Sequence, residues 1–375
     1  MRTAVILLCT LFCFYTSAAQ HKTTYVFVGT YTDEKPDKGI YVYSLDLQSG
    51  DLKELGSAES VINPSFLTVS PDGRFLYACT DTRQAIPGSI TSFKIDSIHG
   101  KLLFLNKQSA RGANPVYLTT DGNNKFIVNG NYTEGNVSVA TIDAQGGINP
   151  SIQTILFKDS SINKSRQEKS HIHSTIFSPR FDYLYLPDLG ADKIRVFKFN
   201  PANPEPLAEI DSLTVHTEPG SGPRHMVFHP NERFAYCVEE MGGMVSAYAY
   251  NSGKLTRIQR IPSYSQQAAE HSSADIHISP DGKFLYASNR IENTLSIFSI
   301  HADGTLKLVG HQSTFGEIPR NFAIDPSGYF VLVANQTSNN LVVFKRDPLS
   351  GLLKRAGKEI KVPHPSCIKL REYGR

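Results

Sequence analysis

Arginine, glutamate and histidine recur in this chain at intervals that could bring them to one place. Glu240 follows Arg224 by sixteen residues, Arg290 follows Glu240 by fifty, and His173 precedes Arg224 by about fifty. Arg320 falls on the same beat, with Ala274 between it and Arg224. A guanidinium fork matches a carboxylate or phosphate in bidentate fashion, and an unpaired buried arginine is costly. Three arginines aimed at one point therefore imply an anionic ligand. For any single arginine the alternative is a blade carboxylate such as Asp275 or Asp325. Neighbouring guanidiniums hold Glu240 ionised, so that it can act as a base toward water. His173 is the natural proton shuttle near neutral pH. His171 and His173 form an HxH pair on one strand face. No third ligand follows at metal-site spacing, so neither a metal nor another cofactor is expected. His171, Asn289, Arg320 and Gln336 are the expected substrate-binding residues. His225, His229 and His277 read as structural. Adjacent residues of a strand face opposite ways, and the sequence leaves open whether Glu239 or Glu240 points inward.

The elements that must gather these residues are announced by a repeated phrase. It reads Ser70-Pro71-Asp72-Gly73-Arg74-Phe75-Leu76-Tyr77 and again Ser279-Pro280-Asp281-Gly282-Lys283-Phe284-Leu285-Tyr286. Looser copies begin at Ser178, His229 and Asp325, and a weaker one at Thr120. A period near fifty residues is that of four-stranded propeller blades. In the first unit, strands a to d are expected at 66–69, 75–80, 89–95 and 101–106, separated by turn residues that tolerate the required angles. The longest unit carries a polar run, 158–169, that reads as an inserted loop.

Residues 24–30, 39–46 and 51–55 resemble strands b, c and d with no strand a before them, and residues 362–370 resemble strand a alone. The expected fold is all-β: a seven-bladed β-propeller of four antiparallel strands per blade. One blade is closed by both termini, which removes exposed sheet edges. The start of strand a and the end of strand b then share one rim. Ser65, Val116, His173, Arg224, Ala274, Arg320 and Ser366 take the first position. Asp81, Tyr132, Leu189, Glu240, Arg290 and Gln336 take the second.

The bulk properties exclude several roles. With 38 basic and 35 acidic residues among 375 and no run of like charge, neither nucleic acid nor a membrane surface is an expected partner. Arg2, the apolar run 5–15 and the small residues 16–20 read as a secretory leader cleaved after Ala19. The run is too short to span a bilayer. The expected organisation is a leader, 1–19, and one domain, 20–375, in the periplasm or secreted. Cys79, Cys237 and Cys367 remain, an odd number best read as buried thiols. There is no nucleophile elbow and no glycine-rich phosphate loop.

One stretch is more specific. Gly222-Pro223-Arg224-His225-Met226-Val227-Phe228-His229-Pro230, with Glu240, resembles the seven-bladed propeller lactonases. So do Ala274-Asp275-Ile276-His277 running to Arg290, and Pro319-Arg320-Asn321-Phe322. This is the bacterial 6-phosphogluconolactonase type, related to the fungal carboxy-muconate lactonizing enzyme. The resemblance covers essentially the whole chain after the leader. It implies a metal-independent site built from His173, Arg224, Glu240 and Arg290, acting on an aldonolactone. The expected partner is a small anionic lactone, bound by a monomer or weak dimer. Two other readings stay open: a lactone-forming cycloisomerase, and a non-catalytic exported propeller that binds an acidic sugar or a protein.

Overall fold

The structure, a computed structural model, describes residues 22–33, 35, 38–83, 87–266 and 269–374. The expected leader and its cleavage site lie outside the described residues. Seven antiparallel sheets follow one another along the chain. In the first complete blade the strands are Phe66–Val69, Phe75–Thr80, Ser89–Asp96 and Lys101–Ser109. The blade that joins the termini pairs the C-terminal Pro365–Gly374 with Lys22–Thr30, followed by Ile40–Leu45 and Leu52–Ala58. The ring is the one expected from the repeat.

The turn phrase works by satisfying its own backbone. Ser70 Oγ donates to Asp72 Oδ1 at 2.6 Å and accepts the Phe75 N–H at 2.9 Å. Gly73 takes φ +75° between them, a region closed to most side chains. The tyrosine that ends the phrase reaches into the next blade. The hydroxyls of Tyr185, Tyr236 and Tyr286 donate to the carbonyls of Gly253, Gly304 and Gly351 at 2.7–3.0 Å. These three repeats are therefore fastened to their neighbours by the tyrosine, while strands a to c are buried and strand d faces outward.

One blade departs from the pattern. Its strand a is reduced to Ile176–Phe177, with an isolated bridge Ile172↔Asp188 ahead of it. Its outer edge is divided between Leu207–Glu209 and Val215–His216, both paired with Lys193–Phe199 and separated by a 3-10 turn, Asp211–Leu213. Cys79, Cys237 and Cys367 are free and buried.

Candidate active site

The rim residues are aimed by a device repeated around the ring. In every blade the N–H of the residue ending strand b donates to a carbonyl just before strand a. The pairs include Glu240 to Gly222 (2.8 Å), Arg290 to Ser272 (2.9 Å), Tyr132 to Asn114 (3.0 Å), Leu189 to His171 (3.0 Å) and Tyr31 to His364 (3.1 Å). Strand a then begins with a bulge. Pro223 pairs with Glu239 and His225 with Val238, so Arg224 is the extra residue. Val116, Arg320 and Ser366 are extra in the same way. A bulged residue leaves the ladder and its side chain is re-aimed, here toward the propeller axis.

At that axis four cationic or basic side chains meet Glu240. Arg224 Nε donates to Glu240 Oε2 at 2.9 Å, and Arg290 Nη2 lies 2.9 Å from the same oxygen. His173 Nε2 stands 3.9 Å from it. The other carboxylate oxygen, Oε1, accepts from Arg166 Nη2 at 2.6 Å. Glu240 and Arg224 are buried, with 4% and 2% of their side chains exposed. Arg224 is held further by the Ala274 carbonyl and by His225 Nε2 at 3.2 Å. Because a guanidinium only donates, His225 Nε2 accepts, and its Nδ1–H must be the group that donates to Asp275 Oδ1 at 2.7 Å. A buried chain, Asp275 to His225 to Arg224, thus orients the guanidinium that holds Glu240.

Burial alone raises the Glu240 carboxyl, but the charges of Arg290 and Arg224, joined by Arg166, outweigh it and hold it well below the usual carboxylate range. Burial, then the charge of Arg224, pulls His173 well below 6.5 against the opposing pull of Glu240, so the imidazole is neutral at pH 7. Burial and the charge of Arg224 bring His225 down to about 3. Burial and the charge of Arg290 lower Arg224 to about 9, which leaves it charged at neutral pH. His173 is thus a proton acceptor at rest rather than a half-protonated shuttle.

The remaining expected site residues divide. Arg320 lines the same small axial cavity as His173 and Arg224, with its guanidinium 5.5 Å from the Tyr31 ring centre and no ion pair among the described residues. That cavity measures about 10 Å³, room for one water-sized group. Two of its lining residues, Ser65 and His173, each carry a buried polar atom, Oγ and Nδ1, with no hydrogen-bond partner among the described residues. Gln336 is half-buried at the end of its strand b, its N–H bonded to the Ile318 carbonyl. His171 does not pair with His173 toward a common ligand. Its ring stacks on Tyr132 with centroids 4.3 Å apart, and its nitrogens face the Tyr132 carbonyl and Glu168. Asn289 departs from the expectation: it is fully buried, and its amide bonds Ser263, Ser273 and Ser296 within the blade. The pairing of the arginines with Asp275 or Asp325 is also set aside, since Asp275 serves His225 and His277 and Asp325 caps the Phe330 N–H. Glu239 points the other way from Glu240, onto Arg260 Nη2 at 2.7 Å and Ser246 Oγ at 2.7 Å. The inward glutamate is Glu240.

Two residues at this mouth, Tyr31 and Arg166, are absent from the rim positions read from the sequence, and Tyr132 is placed on the rim without a role. Tyr31 follows strand b of the blade that joins the termini, where the alignment of the repeat could have marked it. Arg166 lies in the inserted run, outside the repeat, where no spacing could assign it. Beside the axial cavity Phe66 stacks on Tyr117 (centroids 4.1 Å apart), and both rings lie edge-on to His225.

Such a ring, with one carboxylate and converging guanidiniums at its axis, defines a seven-bladed β-propeller with a cation-rich axial site. Residues 25–370 match the family described as lactonase, 7-bladed β-propeller, and the chain belongs to it. It is similar to a 6-phosphogluconolactonase of Formosa agariphila, 44% identical over 93% of this chain and 99% of that protein. It is also similar to the 6-phosphogluconolactonase of Bacillus subtilis, 32% identical over 92% of this chain and 98% of that protein. Among solved structures, the periplasmic gluconolactonase of Pseudomonas aeruginosa superposes with a TM-score of 0.88 at 35% identity, covering 93% of this chain and 99% of that one. The reaction class that follows is lactone hydrolysis, a carboxylic ester hydrolase activity.

Proposed function

We propose that the axial mouth hydrolyses a sugar lactone that carries an anionic group. The observation that carries this reading is the charge balance: Arg166, Arg224 and Arg290 all bond a single carboxylate, with Arg320 close by and His173 neutral. The excess of positive charge suits an anionic substrate and the negative charge that develops on an attacked carbonyl.

In this mechanism water adds to the lactone carbonyl carbon while His173 takes its proton. Glu240, 3.9 Å away, stabilises the imidazolium that forms. Arg224 Nη2 and Arg290 Nη1 have no hydrogen-bond partner among the described residues and serve as donors to the tetrahedral oxyanion. The ring C–O bond then breaks, the departing alkoxide takes the proton from His173, and the product leaves as the open-chain sugar acid. No residue is covalently modified.

Export supports a substrate outside the cytoplasm. The N-terminal leader composition and the likeness to a periplasmic enzyme favour a periplasmic or secreted protein, with 20–375 as its single domain and a monomer or weak dimer as its working form. Among the described residues no helix is long and apolar enough to cross a membrane. The test is turnover: the protein is mixed with glucono-1,5-lactone or its 6-phosphate and acid release is followed. Acceleration above the spontaneous rate for at least one is expected. No acceleration for either contradicts the proposal.

A further inference from the structure

Glu240 is held unequally. Its Oε2 is fixed by Arg224 and Arg290, which are 2% and 14% exposed, whereas its Oε1 is covered by Arg166, which is 43% exposed. Arg166 is the most exposed of the three, and its side chain has solvent to move into. Its backbone, by contrast, is pinned. Gln167 is fully buried, its Nε2 donates to the Leu189 carbonyl at 2.9 Å and its N–H to the Asn163 carbonyl at 2.7 Å. Ser161 Oγ is tied to Asp192 Oδ2 at 2.5 Å. The inserted segment therefore presents one long cationic arm from a rigid base. The arm's second contact, Tyr132 Oη at 3.3 Å, is long and leaves it free to turn.

We propose that Arg166 is the residue that selects charged lactones, and that it does so by exchanging partners. In the free protein it neutralises Glu240. When a lactone with a phosphate or a second carboxylate enters, that anion draws the guanidinium away in a bidentate contact. Oε1 is then released, Glu240 regains its full negative charge, and the imidazolium of His173 is better stabilised. A neutral lactone offers Arg166 nothing and meets a masked glutamate. The inference rests on the lactonase mechanism above and adds to it the reason for discrimination.

The test uses Arg166→Met, which keeps the stem and removes the charge, and Arg166→Lys, which restores it. With the 6-phosphate of glucono-1,5-lactone, Arg166→Met is expected to lower kcat/KM about 30-fold, the size of a lost charge-assisted hydrogen bond. With the unphosphorylated lactone Arg166→Met is expected to raise kcat/KM by about two- to fivefold, because Glu240 is no longer masked, and Arg166→Lys moves both values back toward those of the wild-type protein. The acid limb of kcat/KM for the neutral lactone moves to higher pH in Arg166→Met. One of the positive charges facing His173 and Glu240 (those of Arg166, Arg224, Arg290 and Arg320) is gone, while His225 and Tyr132 stay uncharged. Calorimetry with 6-phosphogluconate, glucarate and gluconate gives a readout free of turnover. The two compounds with a second anionic group, 6-phosphogluconate and glucarate, lose about tenfold or more in affinity on Arg166→Met and gluconate does not, and which of the two loses more tells phosphate from carboxylate. Equal losses for compounds with and without the second anionic group, or failure of the wild-type protein to prefer either compound that has it, overturn the assignment. If the wild-type protein hydrolyses neither lactone yet prefers a compound with the second anionic group through Arg166, the hydrolytic reading fails and the anion assignment stands.

Discussion

At the scale of the residue, two adjacent glutamates show how orientation separates structure from chemistry. Glu239 is buried against Arg260, a guanidinium with 28% of its side chain exposed, and Glu240 against the arginines of the mouth. Glu239→Gln is expected to lower stability by about 2 kcal/mol, less than the loss of a fully buried pair because water reaches Arg260, and to leave kcat unchanged. Glu240→Gln is expected to abolish most activity, by a factor of about 10² or more in kcat, while the circular dichroism spectrum stays native. Thermal melts and rates measured side by side decide it; a Glu239 variant that is stable but inactive contradicts the assignment. The acid limb of kcat/KM reports the base. Burial and cationic neighbours pull His173 below 6.5, so the rate stays flat from pH 8 to 6 and falls only in more acid solution. A limb at or above 6.5 contradicts His173 as the base. The sequence made His173, Arg224, Glu240 and Arg290 readable because each keeps the interval of the repeat. Arg166 does not, and its placement depends on how an inserted segment folds back, which periodicity cannot report.

At the scale of the element, the strands and turns were legible for simple reasons. Apolar runs of fixed length alternate with Asp, Gly and Pro turns, and the observed strands of the first complete blade begin where the pattern begins. The bulges were not legible, because one extra residue in a ladder leaves no compositional trace. They matter most, since they aim Arg224 and Arg320. The residue before the proline in these bulges takes positive φ: Asn114 58°, Gly222 62° and Ile318 55°. Asparagine and glycine tolerate that region, whereas β-branched Ile318 is strained there. Ile318→Asn is expected to raise stability by about 1 kcal/mol despite the loss of a half-buried side chain. Denaturant unfolding checks this, and a destabilised variant would show that packing of Ile318 outweighs its backbone strain.

At the scale of the whole molecule, the ring depends on its closing strand and on pH. Pro365–Gly374 completes a sheet with Lys22–Thr30 and also supplies Ser366 to the axis. Truncation after Val362 leaves the edge of Lys22–Thr30 unpaired and opens the ring, and the expected outcome is insoluble protein; a soluble, cooperatively melting product contradicts the closure. Acid destabilises the ring through groups that all act in one direction. The folded-state values of His173 and His225 lie below 6.5, and those of Glu240 and Asp275 below their ordinary carboxylate values. The unfolded chain therefore binds more protons as pH falls. The histidine contribution is complete above pH 6.5 and is lost progressively below it, reaching down to about 3 for His225; the carboxylate contribution is lost below about 4. Tm is expected to fall steadily from pH 6.5 downward. A Tm that is flat to pH 4 contradicts a neutral, buried histidine pair.

The central claim is that a neutral His173 beside Glu240 removes the proton from water. His173→Gln, which takes away the base without adding charge to the buried site, tests it most directly in the lactone hydrolysis assay. A loss of about 10²-fold or more in kcat with an unchanged melting profile is the expected result. Wild-type kcat in that variant, across pH 6 to 8, contradicts the account.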